Sequence, residues 1–237
     1  MFATEIEAGV LRAHRSGTRW LATGFDGGYH AADAAYNLAV PEGFDREDLA
    51  AYVDERRTDA GFATDGPAML TGVDLRHARR ARLDSVEVLA TAGVSNPASL
   101  PVDPDERSGS ADRADDGDGP PRPGTVNLIV GTTRALAEGA LATLLATAVE
   151  AKTATLRALT GFTGTTSDAV VVGTDTGGDP AAFAGSATAV GRATRVCVRD
   201  ALRASLRSRY ADRPFPVSVA DAEYGVVTGG RAEVSRP

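Results

Sequence analysis

The sequence holds one cysteine, one tryptophan, two methionines, three histidines and a single lysine among its 237 residues. Most of these scarcities close off a class of protein. The lone Cys197 can form neither an internal disulfide nor a cysteine-rich zinc site. His14, His30 and His77 are scattered without ligand spacing, so no metal is expected, and no cofactor is implied. No apolar run approaches the ~20 residues that a membrane span needs. The acidic start, Met1-Phe2-Ala3-Thr4-Glu5-Ile6-Glu7, lacks the basic and apolar regions of a secretory signal, which points to a cytoplasmic chain without a membrane partner. A net charge of −7 argues against nucleic acid held on a basic surface.

What the chain does contain is skewed. Its 25 basic residues divide into 24 arginines and one lysine, Lys152. With abundant Ala and Asp, this composition fits a GC-rich, salt-adapted (halophilic) cytoplasm. In a chain that all but avoids lysine, the one retained asks for a reason. Residues 103–123 carry seven acidic side chains against three arginines and almost nothing apolar. Such a stretch cannot bury enough surface to offset its ordering entropy, so it is expected to be a disordered acidic insertion. Its flanks, 86–90 and 125–130, both read as strands, which favours an insertion within a single domain spanning 1–237 over a linker between two domains.

Short strands are expected near 8–14 and 18–24, with Gly27-Gly28 as a turn, and near 67–73 and 84–92. A helix at about 45–58 would be opened by Asp45, with Asp48 in its first turn. Beyond the insertion come a strand at 125–131, a long helix at 135–159, a strand at 168–174, a helix at 187–209 and further strands near 216–220 and 224–228. Strands that follow one another without intervening helices predict an α+β fold, with a mixed or largely antiparallel sheet packed by long helices.

The long helix carries an apolar stripe of Leu141, Leu145, Ala148, Leu156 and Leu159. At 100° per residue Lys152 falls within that stripe and is expected to point inward, where an ammonium is costly unless paired. Glu150 falls about 160° away from it. A structural ion pair or a snorkelling lysine accounts for such a position as readily as a functional one. Three polar clusters accompany this helix. Asn96 precedes a proline at a strand end. Thr125 and Asn127 share one face of an otherwise apolar strand with Ile129. Thr163-Gly164-Thr165-Thr166-Ser167-Asp168 leads into a valine-rich strand. None has the Walker or Rossmann spacing, and each alone has ordinary structural explanations.

In combination the order is distinctive. Thr-Ala-Gly-Val-Ser-Asn-Pro-Ala (91–98), Gly-Thr-Val-Asn-Leu-Ile-Val (124–130), Leu-Ala-Glu-Gly-Ala-Leu (136–141) and Thr-Ala-Val-Glu-Ala-Lys-Thr-Ala (147–154) resemble the adenosylcobinamide amidohydrolase family. Residues 163–168, 184–188 and Asn37-Leu38-Ala39-Val40-Pro41 extend the similarity, which covers about residues 20–205. Thr23 to Gly28 stand where the family carries a Ser-Ser and triple-Gly stretch, so no contact is carried over there. The resemblance implies hydrolysis of the amide joining aminopropanol to the corrinoid side chain of adenosylcobinamide. The product, adenosylcobyric acid, would re-enter cobamide (vitamin B12) synthesis as part of cobinamide salvage. A non-catalytic corrinoid-binding protein and an amidohydrolase acting on a smaller amide are the alternatives.

The resemblance does not supply catalytic roles, which follow from the needs of amide hydrolysis: an activated nucleophile, an oxyanion partner and a proton for the leaving amine. Asp168 is the first choice of general base. Lys152 is expected to stabilise the oxyanion or pair with Asp168. Glu150, in the same motif but on another helix face, is a third catalytic candidate, which could instead anchor the helix to a neighbour or a second subunit. Asn96, Asn127, Thr125 and Thr166 are candidate substrate contacts. The expected partner is a corrinoid small molecule, and a homo-oligomer is compatible with the sequence.

Overall fold

Two stacked β-sheets with helices on their outer faces make up this computed structural model, which describes residues 1–103, 125–222 and 224–237. The chain opens with strands β1 (Ala3–Glu7), β2 (Val10–His14), β3 (Thr18–Ala22), β4 (Gly28–Ala31) and β5 (Ala34–Ala39), then helix α1 (Leu49–Asp59). β6 (Ala68–Thr71), β7 (Arg79–Leu83), β8 (Val86–Ala92) and β9 (Pro97–Ser99) follow. After the acidic stretch come β10 (Val126–Thr132), β11 (Ala135–Leu136), α2 (Glu138–Thr160), β12 (Gly164–Thr165) and β13 (Ala169–Asp175). β14 (Pro180–Ala181), α3 (Ala189–Arg209) and β15 (Val226–Val227) complete the order. Apart from Asp103, the expected disordered insertion lies outside the described residues.

The two large sheets have the orders β1-β2-β5-β6 and β4-β3-β13-β10-β8-β7, and two small ones, β11-β14 and β12-β9-β15, lie beside them. Pairs β5–β6 and β10–β13 are parallel and the other neighbours in both large sheets antiparallel, so the protein is α+β with mixed sheets. The strand period of two divides the side chains between layers. On β10, Val126, Leu128 and Val130 meet α2 and α3, together with Val88, Val172, Leu141, Leu144, Leu156 and Leu202. Ile129, on the opposite face, joins Phe2, Leu11, Trp20, Met69, Leu89 and Val171 between the sheets. Gly131 is required there, because a Cβ would lie 1.9 Å from the Phe2 ring. α1 covers the outer face of the four-stranded sheet through Val53, against Val10, Tyr36, Leu38 and Phe62. The result is four layers, helix–sheet–sheet–helix, where the sequence pointed to one sheet.

Several boundaries differ for identifiable reasons. Asp48, not Asp45, caps α1, its Oδ1 accepting from Ala51 N at 2.9 Å. α2 starts at Glu138 rather than 135 because Ala135 and Leu136 pair as a strand with Pro180 and Ala181, and Ala137 keeps an extended backbone. It ends at Gly161, whose φ of 80° closes the helix on Arg157 O. Of the expected stripe, Leu159 is 39% exposed beside an open groove between α2 and α3. The stretch expected as strand near 216–220 holds a 3-10 turn at Val219–Asp221 capped by Ser218. The expected strands do not include β1, β4, β5 and β7, nor the short β9, β11, β12 and β14.

Candidate active site

The parallel pairing of β10 and β13 sets their N-terminal ends side by side, Asn127 opposite Ala169. α2 connects these two strands and must run back across the sheet, so its C-terminal half lies over the strand starts. This return places Lys152, 6% exposed, beside the residue that opens β13. Lys152 Nζ donates to Asp168 Oδ2, and the pair is almost entirely withdrawn from water. Asp168 Oδ2 also accepts from Thr165 N at 3.1 Å. Oδ1 accepts from Val126 N at 3.0 Å and from the Thr165 hydroxyl. Four donors therefore surround one carboxylate, which is how a buried ion pair offsets its desolvation. Gly164 allows this approach, since a Cβ would come within 2.8 Å of Oδ2.

A second strand pair delivers Asn96. β9 and β12 run antiparallel, and Thr166 N donates to Asn96 O at 3.1 Å. Fully buried, Asn96 donates from Nδ2 to Thr166 Oγ1 at 2.8 Å and to Ser167 Oγ at 3.3 Å, while its Oδ1 has no hydrogen-bond partner among the described residues. The Ser167 oxygen accepts from Asn96, so its own hydrogen is left to point elsewhere.

Asp168, Ser167 and Thr125 line a cleft of about 210 Å³ between the ends of the two sheets. Its other walls are Thr23, Gly24 and Phe25 after β3, Val40 and Phe44 after β5, Leu49 of α1, and Met69 to Gly72 around the end of β6, Thr71 excepted. Asp168 is the only ionisable side chain among the described lining residues. Lys152 stands behind it and does not reach the cleft wall. Asn127 is also one layer back. Its Nδ2 donates to Asn37 Oδ1 at 2.9 Å and Leu70 O at 2.8 Å, and its Oδ1 accepts from Thr125 Oγ1 at 3.0 Å. Asn37 in turn donates to Thr91 Oγ1 at 2.9 Å, so a buried amide network ties the two sheets together beneath the cleft. Glu150 is not part of this assembly. It is exposed on the far side of α2 and pairs with Arg195 of α3.

The structure thus collects Lys152, Asp168, Thr166, Asn96 and Thr125, sets Asn127 behind Thr125, and leaves Glu150 outside. Sequence reasoning did not single out Ser167 and Thr165, although both lie in the quoted 163–168 cluster. Asn37 lies in the quoted 37–41 element, whereas Thr23 to Phe25 were set aside as a departure from the family. Cys197 is no rival nucleophile here, because burial pushes its thiol up to about 11.

Fold and cleft together define an α+β protein with a buried ammonium–carboxylate pair beside oriented hydroxyls, a set suited to hydrolysing a neutral polar bond such as an amide. The sequence model of the Adenosylcobinamide amidohydrolase family matches residues 2–214, and the chain belongs to that family. It is 52% identical over 240 residues to an "Adenosylcobinamide amidohydrolase" of Halobacterium salinarum, covering 100% of both chains. It is 28% identical over 199 residues to a protein of the same description from Methanosarcina mazei, covering 80% of this chain and 90% of that one.

Proposed function

We propose that the protein hydrolyses the amide of adenosylcobinamide, releasing aminopropanol and adenosylcobyric acid for cobamide synthesis, in the cytoplasm and as one domain. Asp168, the one ionisable side chain on the cleft wall among the described residues, held against Lys152, carries the chemistry. Among the described residues no helix is long and apolar enough to cross a membrane.

In this mechanism water attacks the amide carbon and Asp168 takes its proton, the Thr165 hydroxyl turning aside to release a lone pair on Oδ1. The Ser167 hydroxyl, its oxygen fixed by Asn96, donates to the developing oxyanion. When the C–N bond breaks, the proton on Asp168 passes to the departing nitrogen, leaving a carboxylic acid and a free amine. Lys152 acts through Asp168, holding the carboxylate in place between turnovers. Asn127 and Thr166 hold the cleft hydroxyls in place, and Glu150 has no part in the reaction. Incubation with adenosylcobinamide at high salt, followed by mass analysis, should detect both products. Binding of the corrinoid without either product would mark a non-catalytic corrinoid-binding protein instead.

A further inference from the structure

The cleft is too small for the molecule it serves. Pockets that enclose drug-sized ligands run from roughly 300 to 1,000 Å³, and a corrin ring with its amide side chains and adenosyl group is larger than such a ligand. A cleft of about 210 Å³ can admit only the slender arm that ends in aminopropanol. Its lining suits that arm: Val40, Leu49, Met69 and Leu70 for the carbon chain, Ser167 and Asp168 for the amide. The ring must then remain outside, against the rim.

Phe25 is what the rim offers. Among the described residues it is the only large apolar side chain lining this cleft that is also substantially exposed, at 44%. Its place is fixed by the backbone on its N-terminal side. Thr23 N donates to Val170 O and Val170 N to Thr23 Oγ1, both at 3.0 Å. Gly24 sits so close to β6 that a Cβ would lie 2.9 Å from Ala68 O. A flat aromatic ring held half in water at the mouth of a narrow cleft is placed for contact with the apolar ring carbons and methyl groups of a broad ligand that cannot enter.

We propose that Phe25 is a specificity-determining residue that docks the corrin ring at the cleft mouth while only the amide arm is enclosed. This assignment rests on the reading of the cleft as the hydrolytic site. The test compares wild type with Phe25→Ala and Phe25→Tyr in the full chain, using adenosylcobinamide as substrate and N-(2-hydroxypropyl)acetamide, an arm without a ring, as competitive inhibitor. Phe25→Ala should raise KM for adenosylcobinamide about tenfold with a smaller change in kcat. The inhibition constant of the arm analogue should not move, and Phe25→Tyr should restore KM. An unchanged KM, or a parallel rise in KM and the inhibition constant, would overturn the proposal. If wild type turns nothing over, the hydrolytic reading fails. Direct titration with adenosylcobinamide then decides the platform separately: a tenfold weaker affinity in Phe25→Ala supports it, and equal affinity overturns it.

Discussion

Asp168 offers no free lone pair in the resting protein, and this shapes what substitutions there should do. Asp168→Asn leaves Lys152 as a buried ammonium without its counter-charge, at a cost of about 3 kcal/mol in urea unfolding. Turnover should fall by at least ~100-fold for loss of the base. Lys152→Met leaves Asp168 with three donors, so the variant should fold while losing a substantial part of its activity. A folded Lys152→Met enzyme with full turnover would contradict its assignment. Asn127→Ala removes the bonds to Asn37, Leu70 and Thr125, and should lower stability by about 2 kcal/mol through unsatisfied buried partners. At this scale periodicity along α2 was enough to turn Lys152 inward. The same rule misplaced Leu159, because a helical projection gives direction and not the extent of the layer that covers it. The isolated Asn127 in an apolar strand was visible, but its partners Asn37 and Leu70 lie in another sheet and no local pattern announces them.

At the scale of elements, burial decides what is legible. β8, β10 and β13 are buried along their whole length and read as strands rich in Val, with few polar residues among them. β1, with the sequence Ala-Thr-Glu-Ile-Glu, is an edge strand with four of its five residues exposed, and nothing in its side chains marks it. β7 is likewise an edge, and its three arginines among five residues read as surface. The cap of α1 was displaced by three residues because Asp45 and Asp48 are both suitable residues, and only the bond to Ala51 N separates them. Packing between the sheets yields a prediction of its own. Gly131→Ala forces a methyl group into the Phe2 ring and should destabilise by about 1–3 kcal/mol, measured as a lower urea midpoint with an unchanged slope.

For the whole molecule, acid should be the vulnerable side. His77 is buried, accepts from Arg76 Nε at 3.1 Å and meets Ser208 Oγ at 2.9 Å. Burial first, and then Arg76, hold its imidazole below the ordinary 6.5. Below that pH the unfolded chain takes up a proton that the folded chain refuses, so stability falls as pH drops. Asp175 adds a later step. Hydrogen bonding from Arg15, with Nε to Oδ2 at 3.0 Å, keeps it below the ordinary 3.8, and its stabilisation is lost as pH falls from there toward its folded value. His77→Gln should therefore flatten the decline in Tm between about pH 7 and pH 5 and leave the steeper loss near pH 3 in place. The α+β class and the order of the motifs were readable from the chain. The stacking of two sheets was not, since it depends on long-range pairings such as β2 with β5 and β3 with β13. Mass analysis of adenosylcobinamide incubated with wild type and with Asp168→Asn decides whether the amide is hydrolysed at Asp168. Equal amounts of adenosylcobyric acid and aminopropanol from wild type, with corrinoid binding but no product from Asp168→Asn, is the predicted result. Undiminished product from a folded Asp168→Asn protein would contradict it.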